Sequence, residues 1–471
     1  MSLIKSISGI RGTIGGAPGD GLTPVDIVKF VYAYCATLPS RRPLPAGKRY
    51  KIVVGRDARL SGEMVESIVA GTLVACGVDV VKCGLASTPT TELAVRYAEA
   101  DGGIILTASH NPRHWNALKL LNEKGEFLTA AEGQAVLDMA ENGKFDFSDV
   151  DSLGTVEEED FTDRHIDDVL ALEAVDAEAV RAAGFTVVLD AVNSVGGIIM
   201  PRLLRRLGVK CIELNCNPTG EFAHNPEPLP ANLRDLCDTV VKTKADLGIS
   251  VDPDVDRLAF ICENGEPFVE EYTLVGVADY LCSLAAAEGK PIATVSNLSS
   301  SRALRDVTES YGGTYYSAAV GEVNVTTKMH EVNALIGGEG NGGVIYPACH
   351  CGRDAMVGVA LFLSNLARKK MTMTELKKTY PQYAIAKNRI ELSDGALIDR
   401  ILSELKKVYA DEEIIDIDGV KINFEDRKQW VHLRKSNTEP IIRIYSEART
   451  EDEAVKLGEE VIAVARKIME G

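Results

Sequence analysis

The chain has no paired cysteines, no long apolar run and a deficit of positive charge, and each shortage excludes a class of protein. Its 10 cysteines are scattered over 471 residues, with no C-x-x-C pair and no spacing of a disulfide framework. The opening MSLIKSISGIRG has no apolar core of a signal peptide, so reduced cytosol is the expected compartment. No stretch approaches the length of a membrane span. Lys and Arg total 51 against 69 Asp and Glu, a net charge of −18, and such a surface repels nucleic acid and anionic membrane. It also repels phosphorylated small molecules, so a site handling them must gather its cations locally.

What is present is an ordinary globular balance, 45% hydrophobic and 25% charged, at a length that suggests three or four domains. Short apolar runs that end in Gly or Asp alternate with helical patterns, the mark of α/β layering. Strands are expected at 51–55, 78–82 and 103–107, with helices at 62–76 and 91–99 between them. An acidic stretch, EEEDFTDRHIDD at 157–168, reads as a solvated connection or helix face. The rhythm restarts with strands at 186–190, 210–214, 247–251 and 258–262 and a helix at 196–207. It restarts again with strands near 291–295 and 334–337. The last part differs: strands at 384–392, 414–417, 420–424, 430–434 and 441–446, with helices near 395–409 and 451–470, form an α+β pattern. The expected division is 1–158, 159–263, 264–380 and 381–471, three α/β units and an α+β tail.

Four loops could carry chemistry. Thr107-Ala108-Ser109-His110-Asn111-Pro112 follows an apolar strand, where ligands of α/β sheets usually sit. It presents Ser109, with His110 and Lys119 close in sequence; a serine needs a neighbour to take its proton, or must already carry the group transferred. The plain alternative is a strand-ending turn, since Asn-Pro is strong turn chemistry. Asp252-Pro253-Asp254-Val255-Asp256-Arg257 sets three carboxylates at i, i+2 and i+4, able to converge on one hard divalent cation. It is no EF-hand, because Arg257 stands where the sharp turn needs Gly. It resembles in part the haloacid-dehalogenase pattern, with Asp256 where Thr or Val usually stands, and a solvated acidic turn is the remaining alternative. In Gly337-Gly338-Glu339-Gly340-Asn341-Gly342-Gly343 the glycines permit close backbone approach, and Glu339 and Asn341 offer groups for sugar hydroxyls. Gly-rich hinges look the same. Arg434-Lys435-Ser436-Asn437-Thr438-Glu439-Pro440, with Arg443 following, matches a capping box but has no helix to cap. It reads instead as a phosphate cradle among cations. Cys349-His350-Cys351 offers soft ligands, but neighbours on one loop without a second pair seldom make a zinc site.

In this order the loops, with SGIRG at 8–12 and GRD at 55–57, resemble the α-D-phosphohexomutase superfamily (phosphoglucomutase, phosphomannomutase, phosphoglucosamine mutase) over nearly the whole chain. The resemblance implies three similar α/β domains with mixed sheets plus a C-terminal α+β domain, heart-shaped with a central cleft, as a cytoplasmic monomer or homodimer. It implies interconversion of hexose 6-phosphate and hexose 1-phosphate through a phosphoserine and a 1,6-bisphosphate, which also serves as activator. Residue by residue, it makes Ser109 the phosphorylated serine. Asp252, Asp254 and Asp256 would hold one Mg²⁺ with an oxygen of that phosphate. Arg257 and Arg11 would lie by the reacting phosphoryl group, and Lys119 with His110 would assist proton transfer. Glu339 and Asn341 would contact the sugar, while Arg434, Ser436, Asn437, Thr438 and Arg443 would hold the other phosphate.

Phosphoryl transfer is mainly positioning and charge neutralisation, which suits that division. Two departures stand out. The sugar loop reads GEGN where many members have serine, and Ala319-Val320-Gly321-Glu322 lacks the Gly-x-Ser of bifunctional glucose/mannose enzymes. The SGIRG start and the Val320-Gly321 loop lean towards glucosamine phosphate. Glucose or mannose phosphate, a phosphatase using Asp252 as nucleophile, and an idle sugar-phosphate sensor are the alternatives.

Overall fold

A computed structural model describes residues 2–6, 9–45, 47–391, 396–435 and 441–470. The chain forms two compact units, one of residues 1–273 with 342–374 and the other of 274–341 with 375–471.

The first unit opens with a seven-stranded mixed sheet in the order Leu3–Ser6, Gly9–Thr13, Trp115–Leu121, Gly102–Leu106, Lys51–Arg56, Asp79–Leu85, Val156–Glu158. The last four are mutually parallel and the first three pair antiparallel, Trp115–Leu121 against Gly102–Leu106. Alternation along Lys51–Arg56 sends Ile52 and Val54 to one face, packed with Phe30, Leu38, Val65 and Val69. Val53 goes to the other, with Val81, Ala94 and Ile105. Both faces are covered, so the middle of this strand is an unbroken apolar run, Ile52-Val53-Val54, as a parallel sheet requires. The helix Pro24–Arg41 starts at a capping box in which Thr23 accepts from the Asp26 N–H.

A second sheet in this unit runs Leu258–Cys262, Leu247–Val251, Thr186–Asp190, Lys210–Leu214; only the Leu258–Cys262 strand is antiparallel to its neighbour. Its turn between Val251 and Leu258 carries the three aspartates. The helix Ala355–Lys369 is buried from Ala355 to Ala367, with Phe362 stacked on Phe260 at 4.0 Å between ring centroids. The acidic stretch after 157 is an amphipathic helix, Thr162–Ala171, whose His165, Ile166 and Val169 are buried.

In the second unit the strand Ala293–Asn297 lies between Thr314–Ala318 and Ile336–Glu339, both parallel to it. The strand expected at 334–337 thus runs on to Glu339, which ends a strand rather than lying free in a loop. The C-terminal sheet is fully antiparallel, in the order Ala384–Glu391, Ile441–Ala448, Gln429–Lys435, Val420–Phe424, Glu413–Ile415. The helices Ala396–Val408 and Glu451–Glu470 supply its core through Ile398, Ile401, Leu405, Leu457 and Val461. Lys421 ties this sheet to the neighbouring loop by donating to the Leu298 carbonyl at 2.7 Å. No helix of the described residues is long and apolar enough to cross a membrane.

Glu447 is fully buried and accepts from Trp430 Nε1 at 2.6 Å and from the Arg302 N–H at 2.9 Å. Burial outweighs these donors and raises its carboxyl to about 7 from an ordinary 4.5. A raised folded-state value stabilises the protein fully below 4.5 and loses that contribution as pH rises through 7. Glu447→Gln keeps an acceptor without the titration. Denaturant unfolding is expected to show wild type losing stability relative to this variant between pH 5 and pH 8, by on the order of 3 kcal/mol.

Candidate active site

The first unit brings together two loops at the carboxyl ends of strands. Ser109 lies three residues beyond the strand Gly102–Leu106 and is held at φ +48°. Its hydroxyl donates to Asp252 Oδ2 at 2.7 Å, and its N–H donates to Thr107 Oγ1 at 2.9 Å. In the aspartate loop the buried Val255 has φ +62°, an outlier for a β-branched residue. Strain of this kind persists only where the surroundings enforce it.

The enforcement at Ser109 comes from Arg59, which is almost fully buried. Its guanidinium donates to Asp57 at 2.9 Å, to the carbonyls of Pro112 at 3.1 Å and Trp115 at 2.9 Å, and to that of Ser109. Asp57 also accepts from Thr107 Oγ1 at 2.7 Å. Burial raises the Asp57 carboxyl, and Arg59 with these donors offsets only part of the rise.

Asp252, Asp254 and Asp256 are all fully buried, each with an oxygen within 4.8 Å of the others'. Asp252 Oδ1 accepts from the N–H groups of Asp256 at 3.2 Å and Arg257 at 3.1 Å. Asp254 Oδ2 accepts from Thr88 Oγ1 at 2.6 Å and Lys119 Nζ at 2.7 Å. Asp256 Oδ2 accepts from Arg353 at 2.7 Å and lies 3.5 Å from Lys119. Asp254 Oδ1 and Asp256 Oδ1 are buried acceptors with no donor among the described residues. Buried oxygens left without donors are costly. A hard divalent cation would satisfy them, so the residues fit such an ion.

Electrostatics follow from this packing. Burial and then Asp256 and Asp254 push the Asp252 carboxyl well above the carboxylate range. Burial would also raise Asp254, but Lys119 and the Thr88 hydroxyl overcome it and hold it low. Burial would lower the Lys119 ammonium, but Asp254 and Asp256 outweigh it and keep the lysine charged. His110 lies with Nδ1 3.4 Å from Ser109 Oγ. Burial and then Arg257 push its imidazolium down to about 2, so the ring is neutral. Arg257 pairs with Glu227 at 3.3 Å. Burial, then Arg257, lowers Arg11.

In the second unit Glu339 Oε1 accepts from Asn297 Nδ2 at 2.8 Å and from the Gly321 N–H at 3.3 Å. Asn341 Nδ2 lies 3.5 Å from Glu339 Oε2. Arg434 lies 3.4 Å from Asp418. Arg434 and Arg443 are direct partners across neighbouring strands, and Arg389 is the partner of Arg443 on its other side. Paired positions of an antiparallel ladder share a face, so three arginines stand in a row. Ser436, Asn437 and Thr438 lie outside the described residues.

The four domain descriptions of phosphoglucomutase/phosphomannomutase match in order: alpha/beta/alpha domain I over 3–147, domain II over 163–265, domain III over 270–383 and the C-terminal domain over 389–464. The chain belongs to this family. Its reaction is that of a phosphohexomutase, an isomerase-class phosphoryl transfer. It is 35% identical to a phosphoglucomutase/phosphomannomutase of Thermococcus kodakarensis, over 97% of this chain and 99% of the relative. It is also 35% identical to a phosphoglucosamine/phosphogalactosamine mutase of Sulfurisphaera tokodaii, over 90% of this chain and 92% of that one. A family structure from Burkholderia thailandensis superposes with a TM-score of 0.82 at 24% identity, covering 99% of this chain and 98% of that one.

Sequence reasoning about this family's chemistry missed Arg59, Thr88, Arg353 and Arg389. Arg353 had a signal, since Gly-Arg-Asp occurs at both 55–57 and 352–354. Removing the Arg59 charge leaves Asp57 buried without its partner. Arg59→Met is expected to cost about 3–5 kcal/mol in denaturant unfolding and to lower kcat more than Arg59→Lys.

Proposed function

We propose that this phosphohexomutase acts on glucosamine 6-phosphate and glucosamine 1-phosphate, with Ser109 as the phosphoryl carrier. The observation that carries the reading is the Ser109 hydroxyl held 2.7 Å from a fully buried carboxylate triad with donor-less oxygens. Asp252, Asp254 and Asp256 would hold Mg²⁺, which when bound neutralises charge on the phosphoryl oxygens. Labour is divided over 1–158 for the serine loop, 159–263 for the aspartates, 264–380 for the sugar loop and 381–471 for the second phosphate.

Within this reading Arg257 and Arg11 lie by the reacting phosphoryl group, and Lys119, held protonated, adds fixed positive charge. His110 lies within 3.4 Å of Ser109 Oγ and would assist proton transfer once a bound phosphoryl group offsets the burial and the Arg257 charge that hold its ring neutral. Phosphoserine donates to the free O1 or O6, giving the 1,6-bisphosphate; the serine then takes back the other phosphate. The same bisphosphate, supplied free, would restore a dephosphorylated serine. Glu339 and Asn341 would face sugar hydroxyls. Arg434, Ser436, Asn437, Thr438 and Arg443 would hold the remote phosphate, with Arg389 as a further cation. Substrates are small hexose phosphates, the compartment cytoplasmic and the assembly a monomer or homodimer.

Support for the amino sugar comes from the Val320-Gly321 loop, where Gly321 at φ +116° donates to Glu339, and from the several relatives named phosphoglucosamine mutase. A coupled assay compares glucosamine, glucose and mannose 1-phosphates with Mg²⁺ and the matching bisphosphates. Glucosamine phosphate is expected to have the highest kcat/KM. Ser109→Ala is expected to lose at least about a thousandfold in kcat on every sugar. Near-full activity in that variant would move the carrier role to Asp252. Arg389→Ala is expected to lower kcat/KM about tenfold through phosphate binding, with Arg389→Lys recovering part of it.

A further inference from the structure

A second buried cluster has no part in that chemistry. His165 comes from the helix Thr162–Ala171, while Cys349, His350 and Asp354 come from the segment leading into the helix Ala355–Lys369. Nε2 of His165 lies 2.8 Å from Asp354 Oδ2, and Nε2 of His350 lies 3.1 Å from the same oxygen. With the Cys349 thiol, one ligating atom from each of the four residues lies within 4.8 Å of every other. His165 is 0%, Asp354 1% and His350 7% exposed, and Cys349 is half-buried.

The far atom of each buried member is also fastened. His165 Nδ1 is 3.0 Å from Thr90 Oγ1, and His350 Nδ1 is 3.3 Å from Glu92 Oε2. Asp354 Oδ1 accepts from the N–H groups of Met356 at 2.8 Å and Val357 at 3.2 Å, capping the helix. Ligating histidines are held in this way, one ring nitrogen on the ion and the other on a carboxylate or similar acceptor. A helix cap needs only Asp354. It does not require two imidazoles turned on the same carboxylate oxygen with a thiol beside them.

We infer that His165, Cys349, His350 and Asp354 form a second metal site, for a borderline-soft divalent ion of the zinc type, separate from the all-oxygen triad. Two neutral imidazoles, one carboxylate and one thiolate carry two negative charges, which balance the ion; the thiol proton and any proton on the imidazoles pass to solvent. A tetrahedral ion with bonds of about 2.0–2.3 Å needs ligand atoms about 3.3–3.7 Å apart. The two histidine–Asp354 separations, 2.8 and 3.1 Å, are hydrogen-bond lengths that would open by a few tenths of an ångström around an ion, and the others lie within 4.8 Å. Donor softness sorts the ions: oxygen-only sites favour magnesium, and imidazole with thiolate favours zinc or cobalt. The two-imidazole, one-thiol set forms only because the fold delivers His165 and Asp354 to the Cys349-His350 loop, which supplies the partners the loop lacks in sequence.

The site has a structural consequence. Arg353, next to Asp354, donates to Asp256 at 2.7 Å. A bound ion would pin that segment to the helix Thr162–Ala171 and so fix where Arg353 stands.

The test is titration of the intact protein with Co²⁺ in saturating Mg²⁺, followed by the thiolate-to-cobalt charge-transfer band, which an oxygen-only site cannot produce. One equivalent is expected to generate the band, and Zn²⁺ to abolish it by displacement. Cys349→Ser is expected to remove the band, while Cys351→Ser keeps it. His350→Gln, with its thiol intact, is expected to weaken cobalt binding at least about a hundredfold. Circular dichroism and an unfolding midpoint close to that of metal-free wild type would show that the two serine variants are folded. A missing band in wild type, a band surviving Cys349→Ser, or a band lost in Cys351→Ser would each overturn the assignment.

Discussion

Three carboxylates with no exposure to water, two residues apart along one turn, are the constraint around which the first unit is organised. Like charges so placed repel strongly in a low-dielectric interior, and each requires a cation or a set of donors. Those partners come from separate elements. Lys119 reaches Asp254 and Asp256 from the strand Trp115–Leu121, Thr88 reaches Asp254 from a helix start, and Arg353 reaches Asp256 from the segment before another helix. Satisfying the triad therefore fixes how the two sheets of this unit meet. The balance is incomplete, with three acids facing two direct cations and two oxygens lacking donors. On the proposed reading, a divalent ion over-corrects this deficit by one charge, and the surplus is what draws a phosphoryl group to Ser109.

Positioning is enforced as firmly as charge. Ser109 and Val255 hold left-handed backbone conformations that side-chain-bearing residues avoid. The guanidinium of Arg59 holds the carbonyl of Ser109 and those of Pro112 and Trp115 after it, so relaxing the serine would disturb several buried hydrogen bonds at once. On the proposed reading, a nucleophile held so needs little reorganisation when it reacts, and reaction by positioning depends on that.

Much of this was legible in the sequence where chemistry is local. Apolar runs ending in polar loops marked the central strands, and the Asp-x-Asp-x-Asp spacing marked the triad. Short or fully buried elements were less visible. Leu3–Ser6 and Gly9–Thr13 are brief and partly exposed, and WNALKLL at Trp115–Leu121 has no clear alternation because both of its faces are covered. Partners that meet only through pairing register or helix packing were invisible: nothing in the sequence places Arg389 beside Arg443, or His165 beside Asp354. Glu339 was assigned to a loop because glycines surround it, yet Gly337 makes room for Met329 of the helix Glu322–Val332 and Glu339 closes a strand.

The repeated Gly-Arg-Asp shows how one tripeptide serves two ends. At 55–57 the aspartate turns back on Arg59 and the loop of Ser109, a local arrangement that ends within the first sheet. At 352–354 the arginine and aspartate diverge. Arg353 reaches the triad, and Asp354 reaches His165 and His350 while capping the helix behind it. A Cβ at Gly352 would lie 1.9 Å from Glu92 Oε2, so a side chain there would displace the carboxylate that meets His350. The carboxylate triad and the histidine cluster are thus joined through one peptide bond. A change that draws Asp354 towards the histidines therefore acts on the backbone of Arg353, and through its guanidinium on Asp256.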